Sequence, residues 1–446
     1  MTVGSLWKKI ISFAVPVILT NLLQFIFNTA DVIVVGKFVG STSLAAVGST
    51  SSIVNLLITL FVSFSIGTNF MVADFYGNKD EKSINQTVHC SIAAGSIIGI
   101  LAGFVCFIFS KPLLVITGSP EDVLPLATIY LKIYSAAIPA LVLYNFCAAI
   151  LRAIGDTRSP LIFMAISGTL NIILNIIFVT VFNLGVAGVA LSTAITEYLS
   201  LILIIIHLCR LDNCCRLVFS QIRFYKDKLI KMLSIGFAAG IQGIIFNISN
   251  VMIQSSVNSF GSSAMAGNAA ASSLENFVYV SQNSFYQAAI TFSSQNLGAE
   301  KYNRIKKVFF ICMTYSALIG ISMCTCLYIF QIPLLSLYIS NVDKAWNAVI
   351  TTGILRVKLI SRFQFIGGFM EVGCGSLRGL GKNWVPTIIS LLGACVLRIV
   401  WIYTVFASQK TLACLYISYP ISWFLTFLIH CSLLFYYYKK FPCQAD

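Results

Sequence analysis

Long apolar runs separated by short polar turns set the rhythm of this chain. A helix rising 1.5 Å per residue needs about 20 apolar residues to cross a bilayer core. Twelve runs meet that length, near residues 10–35, 44–72, 87–109, 126–150, 159–183, 187–209, 231–258, 264–292, 305–330, 350–375, 384–407 and 412–438. Shorter, alternating barrel strands do not fit them. The run behind Lys8 and Lys9 outlasts a signal-peptide core, lacks a cleavage site and has a counterpart in the second half, so it reads as a first permanent helix.

The turns between runs repeat. Leu-Arg-Ala-Ile-Gly-Asp-Thr-Arg-Ser-Pro at 151–160 returns 226 residues later as Leu-Arg-Gly-Leu-Gly-Lys-Asn-Trp-Val-Pro at 377–386. Phe27, Asn28 and Asp31 return as Phe246, Asn247 and Asn250, and Gly40 with Ala45 as Gly261 with Ala266. An offset of half the chain means duplication of one large unit, unlike the short periods of solenoids. Six spans per half is an even number, so the halves run parallel. The predicted fold is an all-α integral membrane protein with twelve transmembrane helices in two six-helix lobes, related by a pseudo-twofold axis along the membrane normal. The lobes are residues 1–209 and 231–446, joined by a cytoplasmic linker at 210–230. Arg152 and Arg378 close the fourth and tenth helices beside Gly155 and Gly381, where a cation meets the negative helix end. Both read as structural.

Composition agrees: 58% of residues are hydrophobic and only 10% charged, against about 25% charged in soluble domains. The net charge of +14 suggests nucleic acid until its distribution is considered. With the amino terminus inside, 20 of the 29 basic residues fall on cytoplasmic segments, and only Lys37, Lys111, Lys344 and Lys410 fall on outer loops. The excess is a topology signal that puts both termini in the cytoplasm of a multi-pass plasma-membrane protein, and no nucleic-acid partner is implied. The 14 cysteines and three histidines form no metal-ligand or disulfide spacing.

Polar residues inside the membrane are expensive and so informative. Asn21, Gln24, Asn28 and Asp31 share one face of the first helix. The seventh helix repeats the stripe with Gln242, Asn247, Asn250 and Gln254 but carries no acid. Asn171 and Asn175 lie one turn apart on the fifth helix, as do Thr193 and Glu197 on the sixth. At 1.5 Å per residue, Asn175 lies roughly 24 Å from the cytoplasmic end of its helix, Thr193 roughly 9 Å from its outer end, and Asp31 roughly 32 Å along the first helix. All three then fall in the outer half, where an oxygen-rich site for a proton or hard cation is geometrically possible. In the second half, Glu275 sits mid-helix on a stripe with Tyr279, Gln282 and Tyr286, and is expected to pair with Arg362 or Arg398 or to titrate neutral. Glu371, roughly 8 Å from its helix end, is a secondary candidate.

With repeat, topology and first helix in hand, the chain resembles the multidrug and toxic compound extrusion (MATE) family over essentially its whole length. Ala14-Val15-Pro16 through Asn28-Thr29-Ala30-Asp31, the Gly36 to Gly48 stretch and the paired Leu-Arg-x-x-Gly-x-x-x-x-Pro turns carry the resemblance. It implies two lobes forming a V, alternating access, and export of amphipathic, often cationic small molecules against an inward flow of Na+ or H+. It also implies a cation site in the amino-terminal lobe at Asp31, Asn171, Asn175 and Thr193, which would be a metal site if the ion is Na+. Gln24, Asn28, Glu197, Asn250, Glu275 and Glu371 are assigned to substrate binding or secondary coupling, from intramembrane polarity alone. Two departures stand out. Asn175 occupies a place where some members carry a second acid, and the seventh helix lacks the acid of other branches.

The expected function is therefore a monomeric, cation-coupled exporter with Asp31 as coupling carboxylate and no cofactor. The alternative is a lipid or lipid-linked oligosaccharide flippase of the same superfamily, which would need Arg362, Arg398, Lys132 and Lys358 to face a cavity. An enzyme is not expected, because the acids are dispersed and the histidines far apart. Nucleotide drive is not expected either, because no Gly-x-x-x-x-Gly-Lys-Ser/Thr loop exists.

Overall fold

The computed structural model describes residues 1–117, 119–338 and 346–442, and is helical throughout its spans. Lys344, assigned above to an outer loop, lies outside the described residues. The helices are α1 Leu6–Phe38, α2 Ser41–Asn78, α3 Glu81–Ile116, α4 Leu124–Ser135, α5 Ile138–Ile154, α6 Arg158–Ile176, α7 Gly185–Cys209, α8 Lys226–Asn258, α9 Ser262–Gly298, α10 Tyr302–Ile329, α11 Gln331–Leu335, α12 Trp346–Leu359, α13 Gln364–Gly379, α14 Trp384–Ser390, α15 Leu397–Trp401, α16 Ala407–Gln409 and α17 Leu412–Lys439. Each of the twelve predicted spans is met by one helix or a broken series. Nine among the described residues are long and apolar enough to cross a membrane, and α4 with α5, bent by 43°, makes a tenth. The α9 span and the α12–α13 span are more polar than the rest.

The breaks have local causes. Between α12 and α13 a 3-10 turn at Ser361–Phe363 resets the helix. Wide π-turns, which bond i to i+5, follow α6 at Ile177–Val181 and flank α15 at Leu391–Val396 and Ile402–Phe406. The repeated turns match in backbone geometry: Gly155 has φ +99° and Gly381 φ +76°, the left-handed reversal that glycine reaches without a Cβ penalty.

Two compact units divide the chain. One comprises residues 19–240, the other residues 1–18 and 241–446; they are called here the amino-terminal and carboxy-terminal units. The divisions fall inside α1 and α8. In the carboxy-terminal unit, Leu6, Ile10, Phe13, Ala14 and Val17 of α1 are buried with Phe285, Phe292, Val308 and Leu434, an association that within a bilayer rests on close van der Waals packing rather than on escape from water. In the amino-terminal unit, the start of α8 lies backbone-close to α2: a Cβ on Gly67 would come within 2.1 Å of Met232 O, and one on Gly236 within 2.3 Å of Phe64 Cα. The segment between α7 and α8 is packed into the same unit, with Cys215 and Leu217 buried and the Val218 amide donating to His89 Nε2 at 3.0 Å.

Candidate functional site

The seam between α6 and α7 is built from two stripes of small polar residues at four-residue spacing, so each stripe lies along one helix face. Ser167, Asn171 and Asn175 line α6; Ser192, Thr196 and Ser200 line α7, and all six are buried. Ser200 donates to Ser167 at 2.5 Å, and Asn171 Nδ2 reaches both Thr193 Oγ1 and Thr196 Oγ1 at 3.4 Å. Ser192 donates to Asn175 Oδ1.

Helix α1 closes on this seam because residue 168 is glycine: a Cβ there would lie 1.8 Å from the Phe27 ring. One turn beyond that contact on each helix stand Asp31 and Asn171. Asp31 is 8% exposed. Its Oδ1 accepts from Asn175 Nδ2 at 2.5 Å, and its Oδ2 lies 3.5 Å from the Thr193 hydroxyl. Asn175 Nδ2 also reaches Asn171 Oδ1 at 3.1 Å. Val34, Val35, Val47, Val179, Val186 and Val189 are buried together with Tyr130 in one apolar cluster. Tyr130 stacks on Tyr134 with ring centroids 6.0 Å apart. No basic residue pairs with Asp31 among the described residues, so hydroxyl and amide groups alone satisfy a carboxyl in a low-dielectric setting.

The structure thus brings Asp31, Asn171, Asn175 and Thr193 into one cluster. Glu197, one turn past Thr193, is half-buried and within electrostatic range of Asp31 without a hydrogen bond to it. Gln24 is half-buried and Asn28 exposed on α1, and neither joins the cluster among the described residues. Ser192 and Thr196 belong to it and were missed. Serine and threonine in helices usually bond their own preceding turn, as Thr196 also does to Ser192 O at 2.9 Å; only the match of two four-residue stripes singles them out.

In the carboxy-terminal unit, Glu275 of α9 does not pair with Arg362 or Arg398. Its partner is Arg356 of α12, which was not weighed. Arg356 Nη2 lies 2.6 Å from Glu275 Oε2, and Nε lies 3.2 Å from both carboxylate oxygens. Ser361 donates to Oε1 at 2.8 Å, Arg356 Nη1 donates to Asn268 Oδ1 at 2.6 Å, and Tyr416 donates to the same oxygen at 3.0 Å. The correction has a geometric origin: the 3-10 turn after α12 breaks the straight-helix register on which depth was counted. It leaves Arg362 exposed and Arg356 buried.

Asn250 is exposed on α8. Glu371 is half-buried on α13 within electrostatic range of Arg378. Arg378 donates to Gln242 Oε1 at 2.8 Å, Thr387 Oγ1 at 3.1 Å and the Tyr286 hydroxyl, tying α13 to α8, α14 and α9. Of the four basic residues a lipid-handling cavity would need, Lys132 and Lys358 are exposed and Arg398 is buried. Arg362 alone of them lines the cavity of about 280 Å3 bounded by Ile321, Cys324, Thr325, Tyr328 and Phe365.

Comparison with known proteins follows the same outline. The MatE family model matches residues 16–177 and 238–404. The chain is 26% identical over 394 residues to the "Probable multidrug resistance protein YoeA" of Bacillus subtilis, covering 87% of this chain and 84% of that protein. It is 27% identical over 399 residues to the "Probable multidrug resistance protein YpnP" of the same organism, covering 89% and 88%. "Multidrug export protein MepA" of Staphylococcus saprophyticus is 23% identical over 394 residues, with 88% and 86% covered. Among solved structures, a MATE protein in complex with MaL6 superposes with a TM-score of 0.91 at 19% identity, over 98% of this chain and 97% of that one. A MOP superfamily transporter from Pyrococcus furiosus gives 0.92 at 18% identity, over 99% and 98%. These likenesses establish the shared fold.

Proposed function

The chain belongs to the MatE family, and from that premise we propose that it is a secondary exporter of amphipathic, cationic small molecules, working by alternating access with Asp31 as its coupling carboxylate. The observation that carries this reading is the setting of Asp31: a buried carboxyl that accepts from the Asn175 amide, has the Thr193 hydroxyl beside it, and has no basic partner among the described residues. An ionised carboxyl held this way is costly, and a proton or a sodium ion relieves the cost. For sodium, the oxygens at hand are the Asp31 carboxylate, Asn171 Oδ1 and the Thr193 hydroxyl, a hard ligand set suited to a hard cation. For a proton, Asp31 becomes a hydroxyl donor with one carbonyl oxygen left to accept, so its bond from the Asn175 amide weakens from charge-assisted to neutral.

In either case occupancy rewrites the hydrogen bonds at the α1–α6–α7 junction. A ligand that binds one packing of that junction better than the other shifts the equilibrium between them. Inward ion flow loads Asp31 from outside. The empty, ionised state attracts the cationic cargo, so ion and cargo bind alternately. Both termini lie on the cytoplasmic side in this reading.

Uptake of a fluorescent organic cation into inverted vesicles, where the cytoplasmic face is outward, tests it. Asp31→Asn is expected to reach the membrane at normal levels and to export nothing; normal export by that variant would remove Asp31 from the mechanism.

A further inference from the structure

The carboxy-terminal unit buries three arginines, Arg356, Arg378 and Arg398, at 6%, 3% and 2% exposure. Arg356 is forked onto Glu275, and Arg378 has Glu371 within electrostatic range. Arg398 has no acid. The groups that act on it electrostatically are Tyr419, Cys395 and Arg356, and Arg356 repels it. Its Nε donates to Ser422 Oγ at 2.7 Å. Its guanidinium lies over the Tyr419 ring at 4.2 Å and the Trp423 ring at 5.6 Å. Ring faces compensate part of a buried cation, but they leave the in-plane edge of the fork open: Nη2 is buried and has no acceptor among the described residues. A buried charge without a counter-charge is among the most unfavourable arrangements a protein interior can hold.

The place is not arbitrary. By the 226-residue repeat, Thr193 corresponds to Tyr419 and Thr196 to Ser422. In the amino-terminal unit Asn171 bonds Thr196; in the carboxy-terminal unit Arg398 bonds Ser422. Position 171 corresponds by count to Leu397, and the wide π-turn Leu391–Val396, which takes up one residue more than an α-turn, brings the next residue to that station. Where one unit gathers oxygens around an acid, the other presents a guanidinium.

We propose that Arg398 anchors a small-anion site, the charge-reversed counterpart of the Asp31 cluster, with Nη2 as donor and chloride as the ion it takes. Arg398 is 2% exposed, so the ion that answers Nη2 sits out of contact with bulk water. The site neutralises the one arginine of these three that lacks an acid among the described residues. It does not depend on Asp31 being the coupling residue.

Trp423 supplies the reporter, since it lies beside the site. The purified protein in nanodiscs of zwitterionic lipid is titrated with iodide, with gluconate holding ionic strength constant, and tryptophan fluorescence is read. The expected result is a saturable quenching component that chloride competes away, that Trp423→Phe removes, and that Arg398→Gln loses. Strictly linear quenching in the wild type, indifferent to chloride, overturns the proposal whether or not the arginine variant folds. A saturable component that survives in Arg398→Gln overturns it as well.

Discussion

Asn175 donates its side-chain nitrogen to Asp31 at 2.5 Å while its side-chain oxygen accepts from Ser192, so one amide on α6 holds both α1 and α7. Both halves of the amide are in use. Any change in the charge of Asp31 therefore reaches α7 by two routes, through the Asn175 amide to Ser192 and directly at the Thr193 hydroxyl.

Replacing that amide is the first test of the arrangement. Asn175→Leu removes a hydrogen bond to a charged group, a loss of about 1.5–3 kcal/mol, which converts to roughly 10- to 100-fold. Because that donation steadies the ionised, ion-free carboxyl, its loss favours the loaded state, and the concentration of coupling ion giving half-maximal efflux is expected to fall by that factor, while the amount of folded protein in the membrane changes little.

The approach of α1 to α6 depends on the missing side chain at Gly168. Gly168→Ala drives a methyl into the Phe27 ring, and overpacking of this kind costs about 1–3 kcal/mol. Thermal unfolding should show that loss in the single variant. Phe27→Leu in the same background should recover part of it; strictly additive effects would mean that the two residues do not meet.

Glu275 and Arg356 form a permanently satisfied pair and are assigned a structural role. Glu275→Gln leaves a buried guanidinium without its counter-charge, and is expected to destabilise by about 3–5 kcal/mol. The double variant Glu275→Gln, Arg356→Met removes the stranded charge and should unfold at a higher temperature than Glu275→Gln alone. It should also keep ion-coupled efflux. Loss of coupling in a well-folded double variant would move Glu275 into the mechanism.

At the start of α3, Asp80 accepts from the Ser83 amide at 3.0 Å. Hydrogen bonds from the Ser83 side chain and backbone hold its carboxyl below the ordinary carboxylate range. A depressed folded value means that the cap contributes fully above that ordinary range and is lost as pH falls through the depressed value. Asp80→Ala is expected to cost about 1 kcal/mol near neutrality. The gap between wild type and variant should close on acidification, measured by thermal unfolding from pH 7 down to pH 3.

Much of this was legible before any coordinates. Span number followed from run length, because bilayer thickness dictates it, and the duplication followed from the repeated Arg152 and Arg378 turns. Asp31, Asn175 and Thr193 could be set at one depth by counting helix rise, while their union with Asn171 as one cation site was what the family resemblance implied. Three features were hidden. Ser192 and Thr196 look like any helical hydroxyls. The 3-10 turn at Ser361–Phe363 leaves no mark in the hydropathy, so Arg356 was overlooked and Glu275 was given the wrong partner. The π-turns before Arg398 and after Asn175 change register by one residue without any change in composition.

The most direct measurement imposes sodium and proton gradients independently on proteoliposomes holding wild-type protein or Asp31→Asn, and follows export of an organic cation. One of the two gradients should drive export by the wild type, and neither should drive it in Asp31→Asn at equal reconstitution. An Asp31→Asn variant that responds to a gradient as the wild type does, or a wild type that responds to neither, would contradict the account.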